Sequence, residues 1–131
     1  RQGSVRAMVE DACQQGASDI HLQVGEPPRF RIQGKMVRQE RYGKVTARQY
    51  DEFLQEVLSP TQQEQFRIRQ ELDTAILYEG LVRCRVNCAQ SIMGGAMVLR
   101  LISLKVPTLE ELGLPEVLGY LAEEKQGLIL V

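Results

Sequence analysis

Tight turns between short apolar runs constrain this chain more than any other feature. Residues 18–24 alternate, with Ile20, Leu22 and Val24 on one side and Asp19, His21 and Gln23 on the other, the pattern of a half-buried strand. Gly25-Glu26-Pro27-Pro28 turns the chain into a second run over 29–33, with Phe30 and Ile32 inward and Arg29 and Arg31 outward. Gly34-Lys35 reverses it again into Met36-Val37-Arg38. Farther on, Glu79-Gly80 separates 72–78 from 82–90, and Gly94-Gly95 marks the turn into a nearly all-apolar run over 96–102. Connections this short leave no room for a crossover, so these strands pair antiparallel.

Helical patterns fill the rest of the first hundred residues. Val5, Met8, Val9 and Ala12 recur at helical spacing over 4–15, and Gly16 follows as a C-cap. Thr46 reads as the N-cap of a helix over 47–58, whose apolar face is Tyr50, Phe53, Leu54, Val57 and Leu58. Ser59-Pro60 ends that helix, and Thr61 reads as the cap of a second one running to about Arg69. Helices segregated from an antiparallel sheet make an α+β domain.

The length of 131 residues, with 44% hydrophobic, suits one compact domain of about 100 residues and an extension. No apolar run approaches the roughly 20 residues of a membrane span. Arg1 opens the chain without a signal-peptide pattern, and the start reads as truncated or processed. Three cysteines, an odd number, argue against a disulfide framework. Cys84 and Cys88 share a strand face with Val82 and Val86, and read as core thiols rather than metal ligands.

Net charge is −1, unevenly spread. Residues 29–48 carry seven basic side chains against Glu40 alone, and residues 49–79 carry seven acids against Arg67 and Arg69. With only Phe30 and Tyr42 for base stacking, the basic stretch is poorly suited to nucleic acid. A solvated face, or one that meets an acidic neighbour, is the better reading, and the acidic stretch offers a complement within the same chain.

The sequence holds no catalytic set. His21, the lone histidine, lies between Ile20 and Leu22 and reads as structural, hydrogen-bonded to a neighbouring loop, with Ser18 or Asp19 fixing the turn. There is no GxxxxGK[ST] loop and no GxGxxG. Two arginines are the candidate site residues. Arg85 lies on a polar strand face with Arg83 and Asn87, and Arg100 interrupts an apolar strand. Burial there is costly without an anion. That anion is either an internal partner, Asp73 or a nearby Glu, or a phosphate, whose oxygens suit the guanidinium fork.

Beyond 102 the composition changes. Lys105-Val106-Pro107-Thr108 is linker-like, a helical pattern covers 109–124, and Gly127-Leu128-Ile129-Leu130-Val131 reads as a buried strand that leads into a further domain. At this point four ordered motifs carry a resemblance. Gly16-Ala17-Ser18-Asp19-Ile20-His21-Leu22 resembles the "GASDIH" opening of the type II and type IV secretion ATPases. Pro27-Pro28-Arg29-Phe30-Arg31-Ile32-Gln33-Gly34 resembles the strand and turn that follow it, and Arg83-Cys84-Arg85-Val86-Asn87 resembles the family's "RFRVN" strand. Leu99-Arg100-Leu101-Ile102 followed by Pro107-Thr108-Leu109-Glu110-Glu111-Leu112-Gly113-Leu114-Pro115 is similar to the segment joining the two domains of PilT-type retraction ATPases of type IV pili.

That resemblance implies a PAS-like domain over 1–102, a linker over 103–108, and the start of a RecA-like motor domain over 109–131, cut before the Walker A loop. It implies a parent ATPase that binds ATP and Mg²⁺ and drives pilus retraction (twitching motility). The parent would be a cytoplasmic homohexamer at the inner-membrane base of the pilus machine. Its partners would be neighbouring subunits and the pilus platform protein, without nucleic acid and without membrane insertion. Arg85 and Arg100 fall at positions that reach the phosphates in such enzymes. This chain, lacking Walker A, Walker B and the catalytic boxes, is expected neither to hydrolyse ATP nor to hold nucleotide tightly by itself. An assembly-type or type II secretion ATPase is the alternative within the family. A stand-alone PAS-like ligand sensor, with an enclosed pocket, is the alternative outside it.

Overall fold

The computed structural model describes residues 4–103; of the expected linker over 103–108 only Ser103 is described, as the last residue of a strand, and the rest of it, with the helix and terminal strand expected over 109–131, lies outside the described residues. The elements are α1 (Ser4–Gln14), β1 (Ala17–Gln23), β2 (Arg29–Ile32), β3 (Lys35–Arg38), a 3-10 turn (Glu40–Tyr42), α2 (Ala47–Val57), α3 (Pro60–Arg69), β4 (Glu71–Tyr78), β5 (Val82–Ser91) and β6 (Gly94–Ser103). The six strands form one antiparallel sheet in the order β3-β2-β1-β6-β5-β4. The expected α+β, PAS-like arrangement is present.

The three helices cover one face of this sheet, and the described residues leave the other open. Ile20 and Leu22 of β1, Phe30 of β2, Val82, Cys84, Val86 and Cys88 of β5, and Met97 and Leu99 of β6 point under the helices and are buried. They meet Val5, Met8, Val9 and Ala12 of α1, Tyr50, Phe53 and Val57 of α2, and Phe66 of α3 in one continuous core. Strand alternation does the rest: every second residue must point to the open side.

Local chemistry sets where the helices begin. Thr46 caps α2 through a capping box with Gln49, as the sequence suggests. The cap of α3 is Ser59 rather than Thr61, with Pro60 in the first helical turn and Gln62 completing the box. Proline lacks an N–H and suits the position after a cap, so Ser-Pro here starts a helix as well as ending one. The first turn of α1 is capped from outside, because the Glu56 carboxylate accepts from the N–H groups of Val5 (2.9 Å) and Arg6 (3.0 Å). Val24 lies outside β1 and bridges Val45 instead.

The turn between β5 and β6 consists of Ile92 and Met93, with Ser91 opposite Gly94. The double glycine therefore sits in the strand. Gly95 is a packing seat: a Cβ there would lie 2.2 Å from the Tyr50 ring. The Tyr50 hydroxyl, buried beside it, shares its proton between the carbonyls of Ala96 (2.7 Å) and Ala89 (3.1 Å). Gly95→Ala is expected to cost roughly 1–3 kcal/mol by overpacking, and Tyr50→Phe about 1 kcal/mol by loss of the bond. Urea unfolding measures both. An unchanged midpoint in Gly95→Ala would contradict this packing.

A polar network ties the β3 side of the sheet to α1. Asp11 accepts from Tyr42 (2.6 Å), Gln15 (3.1 Å) and Arg41, and Gln15 also donates to the buried Gln39. Burial alone would push the Asp11 carboxyl up, but the bonds from Tyr42, Gln15 and Arg41 outweigh it and hold it below the ordinary carboxylate range. A lowered folded-state value means stability that is present above the unfolded value and lost as pH falls through the folded one. Wild-type stability is therefore expected to decline below about pH 4. Asp11→Asn is expected to cost about 1 kcal/mol at neutral pH and to flatten that acid-side slope. Unfolding curves between neutral and acid pH, superimposable for the two proteins, would contradict it.

Candidate anion-binding face

The open face of the sheet is rich in arginine. Arg85 and Arg100 are direct cross-strand partners in the β5–β6 ladder, so the two residues singled out from sequence stand side by side. The next strand places Asp19 opposite Arg100, and the one beyond it places Arg31 opposite Asp19. A parallel row runs through Asp73, Asn87, Val98, His21, Arg29 and Arg38. Six arginines (Arg29, Arg31, Arg38, Arg83, Arg85 and Arg100) thus share this face with Asp19 and Asp73.

Arg100 is not buried, as its place in an apolar strand suggested; its side chain is 70% exposed. Strand alternation takes it away from Leu99 and onto the open side. The expected internal partner Asp73 is engaged elsewhere, accepting from Asn87 at 2.7 Å. The carboxylate that does approach Arg100 is Asp19, at 4.0 Å. Arg85 makes no ion pair or hydrogen bond with any described residue and is exposed. Together with Asp73, Asn87, Val98 and Ile102, the two arginines line an open depression of about 490 Å³.

His21 differs from its expected role. Among the described residues it makes no hydrogen bond to a loop, and its buried Nε2, 4.0 Å from Asp19, has no hydrogen-bond partner there. Burial lowers its pKa, Asp19 pulls the other way, and Arg29, Arg31 and Arg100 lower it further, so the imidazole is neutral at neutral pH. Ser18 Oγ reaches the Arg31 carbonyl at 3.5 Å. The basic stretch 29–48 also divides: Arg29, Arg31 and Arg38 lie on the open face, whereas Arg41 is spent on Asp11.

Relatives place this face in context. The chain is 34% identical over 92% of its length to "Type IV pilus retractation ATPase PilT" of Pseudomonas aeruginosa, and 34% identical over 96% to "Type IV pilus ATPase PilU" of the same organism. A "Twitching motility protein" of Neisseria gonorrhoeae is 29% identical over 79% of the chain. Among solved structures, the pilus retraction motor PilT with bound ADP superposes with a TM-score of 0.72, at 26% identity over 89% of the chain. The chain is a relative of the PilT-type secretion ATPases. It spans about a third of their length, 35% of PilT, 32% of PilU and 34% of the solved PilT chain. The ATPase DotB of Legionella pneumophila shares the fold, with a TM-score of 0.65 at 23% identity over 84% of this chain and 31% of its own. No protein-family profile matches.

Arg85 and Arg100 thus form a pair of exposed arginines opposite one another, one without a counter-ion among the described residues and one only loosely matched, a chemistry open to an oxyanion. Among the described residues, no group of His, Cys, Asp and Glu could hold a metal ion. No helix there is long and apolar enough to cross a membrane. Between sheet and helices, where a ligand-sensing domain would enclose its ligand, the large side chains Phe30, Tyr50 and Met97 are fully buried.

The cysteines keep their expected role in the core. Cys84 and Cys88 are fully buried, and burial pushes both thiols up to about 12. Cys13 is half-buried, and burial, with Glu10 nearby, raises it too. In the native protein at neutral pH, a water-soluble disulfide reagent is expected to modify Cys13 and to reach Cys84 and Cys88 only on unfolding. Rapid reaction of all three thiols would contradict the packing of β5.

Proposed function

We propose that this chain is the nucleotide-facing N-terminal part of a longer ATPase that powers type IV pilus retraction, with Arg85 and Arg100 contacting the phosphates of ATP. The observation that carries this reading is their pairing: two adjacent, exposed guanidiniums on a sheet face, with little neutralising charge. Such a pair repels itself unless an anion lies between or above it. A polyphosphate supplies that anion with several acceptor oxygens. The PilT relatives, and the ADP in a solved PilT structure, support a nucleotide as its source.

In this reading residues 1–102 form the PAS-like domain, 103–108 the linker and 109–131 the beginning of the motor domain. Phosphate loop, Mg²⁺ site and water-activating groups belong to the rest of that motor. The arginines here supply positive charge where charge shifts during phosphoryl transfer, an effect that works by position and needs no proton exchange. Neighbouring subunits of a homohexamer are the partners of the remaining charged surface, and the pilus platform protein at the inner membrane is the partner of the assembly. An assembly-type or type II secretion motor would use the same face in the same way. The large side chains Phe30, Tyr50 and Met97, buried where a sensor would hold its ligand, weigh against the ligand-sensor alternative.

The test is substitution in the longer protein, made by joining this chain to the remaining length of its relatives. Arg85→Ala and Arg100→Ala are each expected to lower ATPase activity by roughly 10- to 100-fold and to weaken nucleotide binding, with unchanged unfolding midpoints. Full activity and full nucleotide affinity in both variants would sink the assignment.

A further inference from the structure

Asp19 is the one charged side chain among the described residues that is buried, and it lies at the centre of the open face. Its Oδ2 is 3.9 Å from Arg31 Nε, 4.0 Å from Arg100 Nη2 and 4.0 Å from His21 Nε2. None of these is a hydrogen bond. His21 is neutral at neutral pH, so the cations that compensate Asp19 are Arg31 and Arg100. A buried carboxylate needs such compensation. Arg100 is thus attracted to Asp19, without the close bonds that would fix it there.

We propose that Asp19 is a positioning residue: a resident counter-ion that holds Arg100 across the sheet and yields it to a bound polyphosphate. This rests on the reading of Arg100 as a phosphate contact. Two anions then compete for one guanidinium. Phosphate oxygens that accept hydrogen bonds at about 3 Å outbid a carboxylate at 4.0 Å. Arg31 stays with Asp19 after the exchange, so the carboxylate is not left buried without a partner. Returning Arg100 to Asp19 favours departure of the product, because the carboxylate takes over the charge the phosphate gives up. Asp19 therefore weakens nucleotide binding and speeds release.

The experiment is a double-mutant cycle in the longer protein, reading ADP affinity and ADP dissociation rate. Asp19→Asn is expected to bind ADP roughly three- to tenfold more tightly, with slower dissociation, and to lose that effect in the Arg100→Ala background. A purely structural Asp19 would shift both backgrounds alike or loosen binding, and either result overturns the proposal. Should Asp19→Asn fail to fold, Asp19→Glu keeps the charge and extends it toward Arg100. That variant is expected to weaken ADP binding about threefold, and an unchanged value overturns the proposal as well. Unaltered ADP affinity in Arg100→Ala alone is a separate result: it removes the phosphate contact first, and the proposal with it.

Discussion

The register of the β5–β6 ladder is the constraint on which the rest depends. Cys84, Val86 and Cys88 on one strand and Met97 and Leu99 on the other must lie under the helices to be buried. Because side chains alternate with a period of two, that requirement forces Arg85 and Arg100 outward. The pairing of Val86 with Leu99 then places the two arginines opposite one another. A slip by one residue would exchange the faces and bury both charges, an outcome far too costly to compete. The arginine-rich face is therefore a by-product of the core.

Two further devices hold that register. Tyr50 reaches from α2 to the start of β6, lays its ring on Gly95, and bonds carbonyls of both β5 and β6. It fastens the helical layer to the strand pair near its turn. At the other side, Asp11 gathers Arg41 and Tyr42 onto α1, and Gln15 and Gln39 extend the network. This keeps β2 and β3 beside β1, and so keeps Arg31 within reach of Asp19. The polar face is supported from the apolar one at both ends.

Much of this was legible in the sequence because it depends on local signals. The alternation of 18–24 and the Gly34 and Gly80 turns mark strands and reversals directly, and Thr46 with Gln49 marks a helix start. Arg100 was legible as a candidate because it interrupts an apolar run, and Arg85 because it lies on the polar face of a strand that resembles a family motif. What could not be read were relations between distant segments. Gly94-Gly95 looks like a turn until Tyr50 is seen lying on it, 45 positions away from Gly95 in sequence. Asp19 looks like a turn residue until β6 and β2 bring Arg100 and Arg31 to either side of it. The apolar neighbours of Arg100 suggested burial, because sequence does not tell which face of a strand is open. One signal did point to Asp19: it shares the polar side of β1 with His21, beside a run rich in arginine.

The proposed role of the paired arginines on the open sheet face is to meet phosphate. Its most direct measurement is an experimental structure of the longer protein with ADP bound. The guanidinium groups of Arg85 and Arg100 are expected within about 3 Å of phosphate oxygens, with Asp19 still beside Arg31. A nucleotide held wholly by other residues, with Arg85 and Arg100 directed into solvent or into a contact with another subunit, would contradict it.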